Sequence, residues 1–188
     1  MTQAAHQYEL LDFGDGRKLE RFGSVVLNRP CSAADGVAKS RPELWDAITA
    51  RFRGPRTGDG SWTPPPKAWT PTDWHFAHED DQDEIAAFRL RLEALPSGQV
   101  GVFPEQRENW DWIARQVAKS QAALGGPLRV LNLFAYTGGS TLAAAAAGAE
   151  VVHIDAARNI VDRARENAEL SGLADRPIRW IAEDAMKF

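Results

Sequence analysis

The sequence predicts an α/β fold in its second half, a parallel sheet with helical crossovers, preceded by a small β-rich region. Three observations carry that expectation. After Pro127, short apolar runs alternate with helical stretches in the order strand, helix, strand, helix, strand, the pattern of a parallel sheet with right-handed crossovers. Before residue 98, turn residues and a period-2 run dominate instead. Finally, 188 residues with 44% hydrophobic and 26% charged side chains are enough to bury a sizeable core.

The elements follow in order. In residues 8–27, Asp15-Gly16 has the tolerance of positive φ that a two-residue hairpin turn requires. Tyr8, Leu10 and Leu11 on one side and Leu19, Phe22 and Val25 to Leu27 on the other supply apolar flanks. Leu44, Trp45, Ile48 and Phe52 fall at helical spacing and predict one or two helical turns in residues 42–52. Residues 54–71 shift to Gly, Pro, Thr and Trp. Pro64-Pro65-Pro66 forbids a helix or a central strand there, and Trp62, Trp69 and Trp74 argue for an ordered loop or edge. Phe88 to Glu93 alternates apolar and charged, a strand with one buried face.

Trp110, Ile113, Val117 and Leu124 predict an amphipathic helix closed by Gly125-Gly126. Residues 128–134 read as a parallel strand buried on both faces, running into Thr137-Gly138-Gly139. The Ala-rich stretch 140–147 predicts a helix, 151–155 a second strand, 158–170 a helix with Ile160, Val161, Ala164 and Ala168 on one face, and 178–181 a third strand ending at Glu183-Asp184. The domain boundary is expected near Gly98, dividing a β-rich region (1–97) from a sheet-bearing region (98–188).

Composition narrows the function. No apolar run approaches the roughly 20 residues a membrane-spanning helix needs. Residues 1–10 lack the pattern of a secretory signal, so a cytoplasmic location is expected. A single cysteine, Cys31, excludes an internal disulfide and paired-thiol metal sites. With 22 basic and 26 acidic side chains the formal charge is -4, which argues against nucleic-acid binding by bulk electrostatics while leaving room for a local basic patch.

In open α/β sheets, ligands bind beyond the carboxyl ends of the strands. Here the first end carries Phe134-Ala135-Tyr136-Thr137-Gly138-Gly139, the second Asp155 and the third Glu183-Asp184. An acidic side chain 17 positions beyond Gly138 suits the two hydroxyls of a ribose, and Glu183 or Asp184 suits an exocyclic amine, so a nucleoside is implied. The pyrophosphate-binding G-x-G-x-x-G turn is missing, and Ser140 stands where a P-loop needs lysine. A phosphate-free nucleoside with a cationic sulfur, S-adenosylmethionine, matches the glycine turn, the aromatic Phe134 and Tyr136, and the two acidic strand ends.

At these positions the chain resembles the class I S-adenosylmethionine-dependent methyltransferases. The resemblance rests on residues 131–139, Val152-His153-Ile154-Asp155, Arg158 with Asn167, and Glu183-Asp184-Ala185. Residues 101–110, with Gln106-Arg107, resemble the segment before the first sheet strand in the bacterial 23S ribosomal RNA methyltransferases, and residues 8–21 resemble a small β-rich element of one subgroup. The resemblance implies a Rossmann-like sheet of which only the first three strands are present, S-adenosyl-L-methionine as cofactor, and RNA as the partner. It implies cofactor contacts from Phe103, Gln106, Arg107, Asn132, Phe134, Tyr136, Thr137, Gly138, Gly139, Asp155, Ala156, Glu183, Asp184 and Ala185. The Asp/Asn-Pro-Pro-aromatic motif that follows the fourth strand in this family does not occur. The chain therefore reads as a fragment lacking the acceptor site, and no catalytic residue is assigned. The alternatives are transfer to a small molecule or protein and a non-catalytic nucleoside-binding module.

Other conspicuous residues have plainer readings. Cys31 lies far from the cofactor motifs and reads as inert rather than nucleophilic. His75 and His78 with Glu79, Asp80, Asp81, Asp83 and Glu84 match no metal-ligand spacing and read as an acidic loop. His153 reads as an interior or edge histidine, and the tryptophan-rich run reads as packing or as a base-stacking surface.

Overall fold

Asp15 and Gly16 both adopt positive φ, +52° and +69°, and they close a two-residue hairpin between β1 (Tyr8–Gly14) and β2 (Arg17–Phe22). In this computed structural model, residues 8–54, 59–79 and 87–188 are described. The order continues with β3 (Val25–Pro30), β4 (Ala50–Arg53), β5 (Ser61–Thr63), β6 (His75–His78), β7 (Phe88–Arg91), α1 (Arg107–Leu124), β8 (Arg129–Leu133), α2 (Gly139–Ala146), β9 (Glu150–Asp155), α3 (Arg158–Leu170) and β10 (Ile178–Ala182). The chain divides into two compact units, one built from residues 1–76 with 92–101 and the other from 77–91 with 102–188. The position near Gly98 falls within the 92–101 segment of the first unit, and β7 belongs to the second.

The first unit is a five-stranded sheet in the order β1-β2-β3-β4-β5, antiparallel except for the β3/β4 pair. Leu11, Leu19, Val26 and Trp45 form one of its buried clusters. Phe22, Trp74, Trp69, Trp62 and Phe52 follow one another at ring-centroid separations of 5.3 to 6.2 Å, mostly edge to face. Trp62 and Trp74 are buried, so these rings pack the unit's own interior. The helical turns expected over residues 42–52 shrink to one 3-10 segment, Pro42–Asp46, and the chain is already extended in β4. Arg51 and Arg53 are exposed while Ala50 and Phe52 are buried, a period of two that overrides the helical spacing of Ile48 and Phe52.

Buried charges in this unit are paired. Glu20, fully buried, receives Arg29 Nη2 at 2.7 Å and Lys18 Nζ at 3.0 Å, and Tyr8 Oη donates to it at 3.1 Å. Arg29 also donates to the Gly98 carbonyl, tying residues 92–101 to the sheet. Burial raises the Asp12 carboxyl, but donors outweigh it: Trp45 Nε1 at 2.7 Å and the Arg41 and Ser40 amides leave the group below its ordinary value.

In the second unit, β8, β9 and β10 form a parallel sheet in the order β10-β9-β8. Alanine supplies the packing: Ala144, Ala145 and Ala149 join Val117 of α1 and Val151 of β9 in one buried cluster, with Val130 and Ile178 against it. Small side chains let α2 lie close to the sheet. Strand β8 departs from the sequence expectation. Leu131 and Leu133 are 53% and 39% exposed, because they lie on the face opposite Val130, the residue of β8 that meets the helical core. α1 ends at Gly125, φ +70°, as expected, and α3 spans the predicted residues with Val161, Ala164, Asn167 and Ala168 buried. No helix of the described residues is long and apolar enough to cross a membrane.

Candidate functional site

The turn between β8 and α2 is the most constrained backbone in the second unit. Phe134 and Tyr136 adopt φ of +54° and +50°, a region that bulky residues rarely enter and that stores strain on the order of 1–3 kcal/mol each. Hydrogen bonds hold it from both sides: Ala135 N–H donates to the Ile154 carbonyl at 3.0 Å, and Tyr136 N–H donates to Asp155 Oδ2 at 2.9 Å. Asn167, fully buried on α3, donates to the Thr137 carbonyl at 2.9 Å and accepts from the Arg91 amide at 2.8 Å. The turn is therefore anchored to β9, α3 and β7 together.

Glycine is required at the start of α2 for a spatial reason. A Cβ on Gly139 would come within 2.8 Å of the Trp110 indole of α1, and Gly138 has φ +98°. The indole thus packs directly against the first turn of the helix.

Below this turn lies a cavity of about 310 Å³, lined by Phe103, Gln106, Asn132, Phe134, Tyr136, Thr137 and Gly139 among the residues expected from sequence. Such a volume falls in the range of small-molecule sites. Phe103 and Tyr136 form one wall, their ring centroids 5.0 Å apart. Gln106 caps the start of α1 and accepts from Asn109 Nδ2 at 2.7 Å. Leu90, Val102, Glu105, Trp110, Leu133, Ala135 and Ser140 complete the lining. Leu90, Val102 and Trp110 had registered in the sequence only as apolar positions or not at all; nothing in their spacing distinguishes a cavity wall from core.

The remaining expected residues are placed differently. Arg107 does not line the cavity; its guanidinium donates to the Glu79 carbonyl at 3.0 Å. Asp155, half-buried at the end of β9, is outside the lining and accepts from Tyr136 N–H and, through Oδ1, from Ala157 N–H at 3.0 Å. Ala156 is exposed beside it. The Glu183 amide donates to the Asp155 carbonyl at 3.1 Å, which brings the third strand end alongside the second. Glu183 Oε1 accepts from the Asp184 amide, and Asp184 Oδ1 from the Met186 amide, so both carboxylates serve a local turn. Glu183, Asp184 and Ala185 lie outside the cavity lining.

His153 is fully buried on β9. Burial pushes it down to about 4, opposed by the Asp155 charge and assisted by Arg165, so the ring is neutral at physiological pH. Its Nδ1 lies 2.9 Å from Thr141 Oγ1. His78 is buried too, its Nε2 2.9 Å from Asp111 Oδ1 and its ring against Phe88 and Trp110; of the acidic run beyond it, Asp80, Asp81, Asp83 and Glu84 lie outside the described residues.

The arrangement can be tested against S-adenosylmethionine. An ionised carboxylate offers about four lone-pair directions, and Asp155 has given two to backbone amides, so two remain for ribose hydroxyls. Aromatic walls suit a sulfonium, and the lining carries neither lysine nor arginine for a phosphate. The residues fit. A family model described as S-adenosylmethionine-dependent methyltransferase matches residues 75–187. The chain belongs to this family. As a member of the S-adenosylmethionine-dependent methyltransferases, it is 35% identical over 106 residues to ribosomal RNA large subunit methyltransferase I of Aeromonas hydrophila, covering 56% of this chain and 25% of that protein. The enzyme of the same name from Cronobacter sakazakii is 25% identical over 179 residues, 92% of this chain and 43% of the relative. Among solved structures, the SAM-dependent methyltransferase from Agrobacterium tumefaciens superposes with a TM-score of 0.78 at 40% identity, covering all of this chain and 55% of that one. The chain thus spans between a quarter and somewhat over half the length of these methyltransferases.

Proposed function

We propose that the protein acts as an S-adenosylmethionine-dependent methyltransferase on a base of ribosomal RNA, and that the second unit holds the cofactor. The observation that carries the reading is the bond from Tyr136 N–H to Asp155 Oδ2, which couples the glycine turn at the cavity to the acidic end of the next strand. In this reading Asp155 accepts the ribose hydroxyls, Phe103 and Tyr136 flank the sulfur, and Gln106 and Asn132 meet the amino-acid end. Glu183 and Asp184 are assigned to the adenine side. The bound cofactor supplies an electrophilic methyl group on a sulfonium centre. The chain's own contribution is orientation: the anchored turn fixes the wall against which the ligand lies. The RNA substrate is supported by the names of the relatives with which the chain shares 25–35% identity.

Calorimetric titration with S-adenosylhomocysteine tests the cofactor site. The wild type is expected to bind, Asp155→Ala to lose affinity by about a hundredfold, and Asp155→Asn, which keeps one acceptor, to lose less. Absence of heat in the wild type defeats the reading. For the substrate, binding of a ribosomal RNA fragment should weaken with salt along a slope set by the number of phosphates neutralised.

A further inference from the structure

Asn132, Thr141 and His153 form a hydrogen-bonded file that runs from the cavity wall into the helix-covered side of the sheet. Asn132 on β8 lines the cavity and donates through Nδ2 to Thr141 Oγ1 at 2.8 Å. Thr141, fully buried on α2, lies 2.9 Å from Nδ1 of His153, which stands opposite Asn132 in the β8/β9 register. The other ring nitrogen, Nε2, is buried and has no hydrogen-bond partner among the described residues.

Counting protons limits what this file can do. The Thr141 hydroxyl has one proton of its own and two acceptor sites. If Asn132 donates to it and the hydroxyl donates onward to His153, Nδ1 is bare and the ring proton sits on Nε2. Every donor in the file points inward, and the amide's remaining arm, Oδ1, is left for the cavity. In the reverse polarity, Nδ1–H donates to Thr141, Thr141 donates to Oδ1, and the amide presents its NH2 to the cavity instead. When the Thr141 proton lies within the file, the imidazole tautomer and the orientation of Asn132 are one coupled decision. Only a neutral ring permits it, and burial keeps His153 neutral. The inward polarity leaves Nε2–H buried without an acceptor, a cost of the kind that persists at working sites.

We propose that His153 and Thr141 are positioning residues that hold Asn132 with Oδ1 toward the cavity, as the acceptor for the ammonium group of an S-adenosyl amino acid. The inference rests on the cofactor reading above. It assigns to Thr141, which is fully buried and outside the cavity lining, an effect on one end of the ligand only.

Two probes separate that effect from a general loss of structure. S-adenosylhomocysteine carries the ammonium group, and 5′-methylthioadenosine carries the same nucleoside and sulfur without it. Titrated by calorimetry, Thr141→Val is expected to weaken S-adenosylhomocysteine about tenfold, the worth of one charge-assisted hydrogen bond, and to leave 5′-methylthioadenosine unchanged; Thr141→Ser should keep wild-type affinity for both. Nitrogen-15 NMR of the unsubstituted protein should show His153 protonated on Nε2. A Thr141→Val variant that weakens both probes equally, or neither, overturns the proposal, as does an Nδ1-protonated His153. If the wild type binds neither probe, the cofactor reading falls and takes the proposal with it; if it binds both without the expected discrimination, the proposal falls alone.

Discussion

Glu20 in the first unit and His153 in the second are both fully buried ionisable side chains, and their surroundings differ in kind. Glu20 is surrounded by donors: Arg29, Lys18 and Tyr8 all reach its carboxylate. His153 has one partner on one nitrogen and none on the other. The first unit buries the Glu20 charge by pairing it, and the carboxylate is consumed internally. The second keeps its buried group neutral, and the hydrogen-bond capacity of that group is passed on, through Thr141, to a residue at the cavity. Where a fold satisfies its own polar atoms it is a scaffold; where it leaves directional capacity over, it has something to offer a ligand.

The comparison is most open to challenge at Glu20. Replacing it with Ala strands Arg29 in the interior, and a loss of about 3–5 kcal/mol is expected in urea unfolding. Hydrogen exchange should place that loss in β2 and β3 and spare β8 and β9. Equal loss in both units would end the contrast.

Acid should act on the second unit. Above pH 6.5, His153 is neutral folded or unfolded and contributes no pH dependence. Between pH 6.5 and about 4 the unfolded chain binds a proton that the folded chain refuses, so stability falls as pH falls. The loss attributable to this residue is complete below about 4, where it reaches roughly 3 kcal/mol. His153→Gln should remove that portion of the pH dependence in unfolding curves taken at pH 7 and pH 4. An unchanged pH profile would show that His153 is not the neutral group described.

The smallest expected effect sharpens the contrast at the turn. Gly139→Ala drives a methyl against the Trp110 indole, and a loss of about 1–3 kcal/mol should appear in thermal unfolding. Wild-type stability in this variant would mean that the ring yields easily and that the packing beneath the turn is loose.

Much of this architecture was legible before any coordinates. Asp15-Gly16 announced its hairpin because only certain residues tolerate that turn, and residues 158–170 announced α3 because an amphipathic helix states its own period. Strand β8 was placed correctly, but its burial was misjudged: Leu131 and Leu133 are as apolar as any core residue, and what covers them is a property of topology rather than of the strand. The site shows the same division. Strand ends and the glycine turn mark where a ligand belongs, and seven of the fourteen residues lining the cavity are among those expected from sequence. Arg107 lies outside the cavity lining, because its guanidinium reaches the Glu79 carbonyl, a contact that the local sequence does not reveal. Thr141 escaped notice altogether, being one threonine in an alanine helix until Asn132 and His153 are seen on either side of it.

Two aromatic rings sit on left-handed backbone at Phe134 and Tyr136. Glycine, asparagine or aspartate would relieve either position, but none of them supplies a flat apolar surface. Each position must therefore satisfy two requirements that no single amino acid meets well, and substitutions that ease the backbone will strip the wall. Variation among proteins built this way should be sparse at both positions.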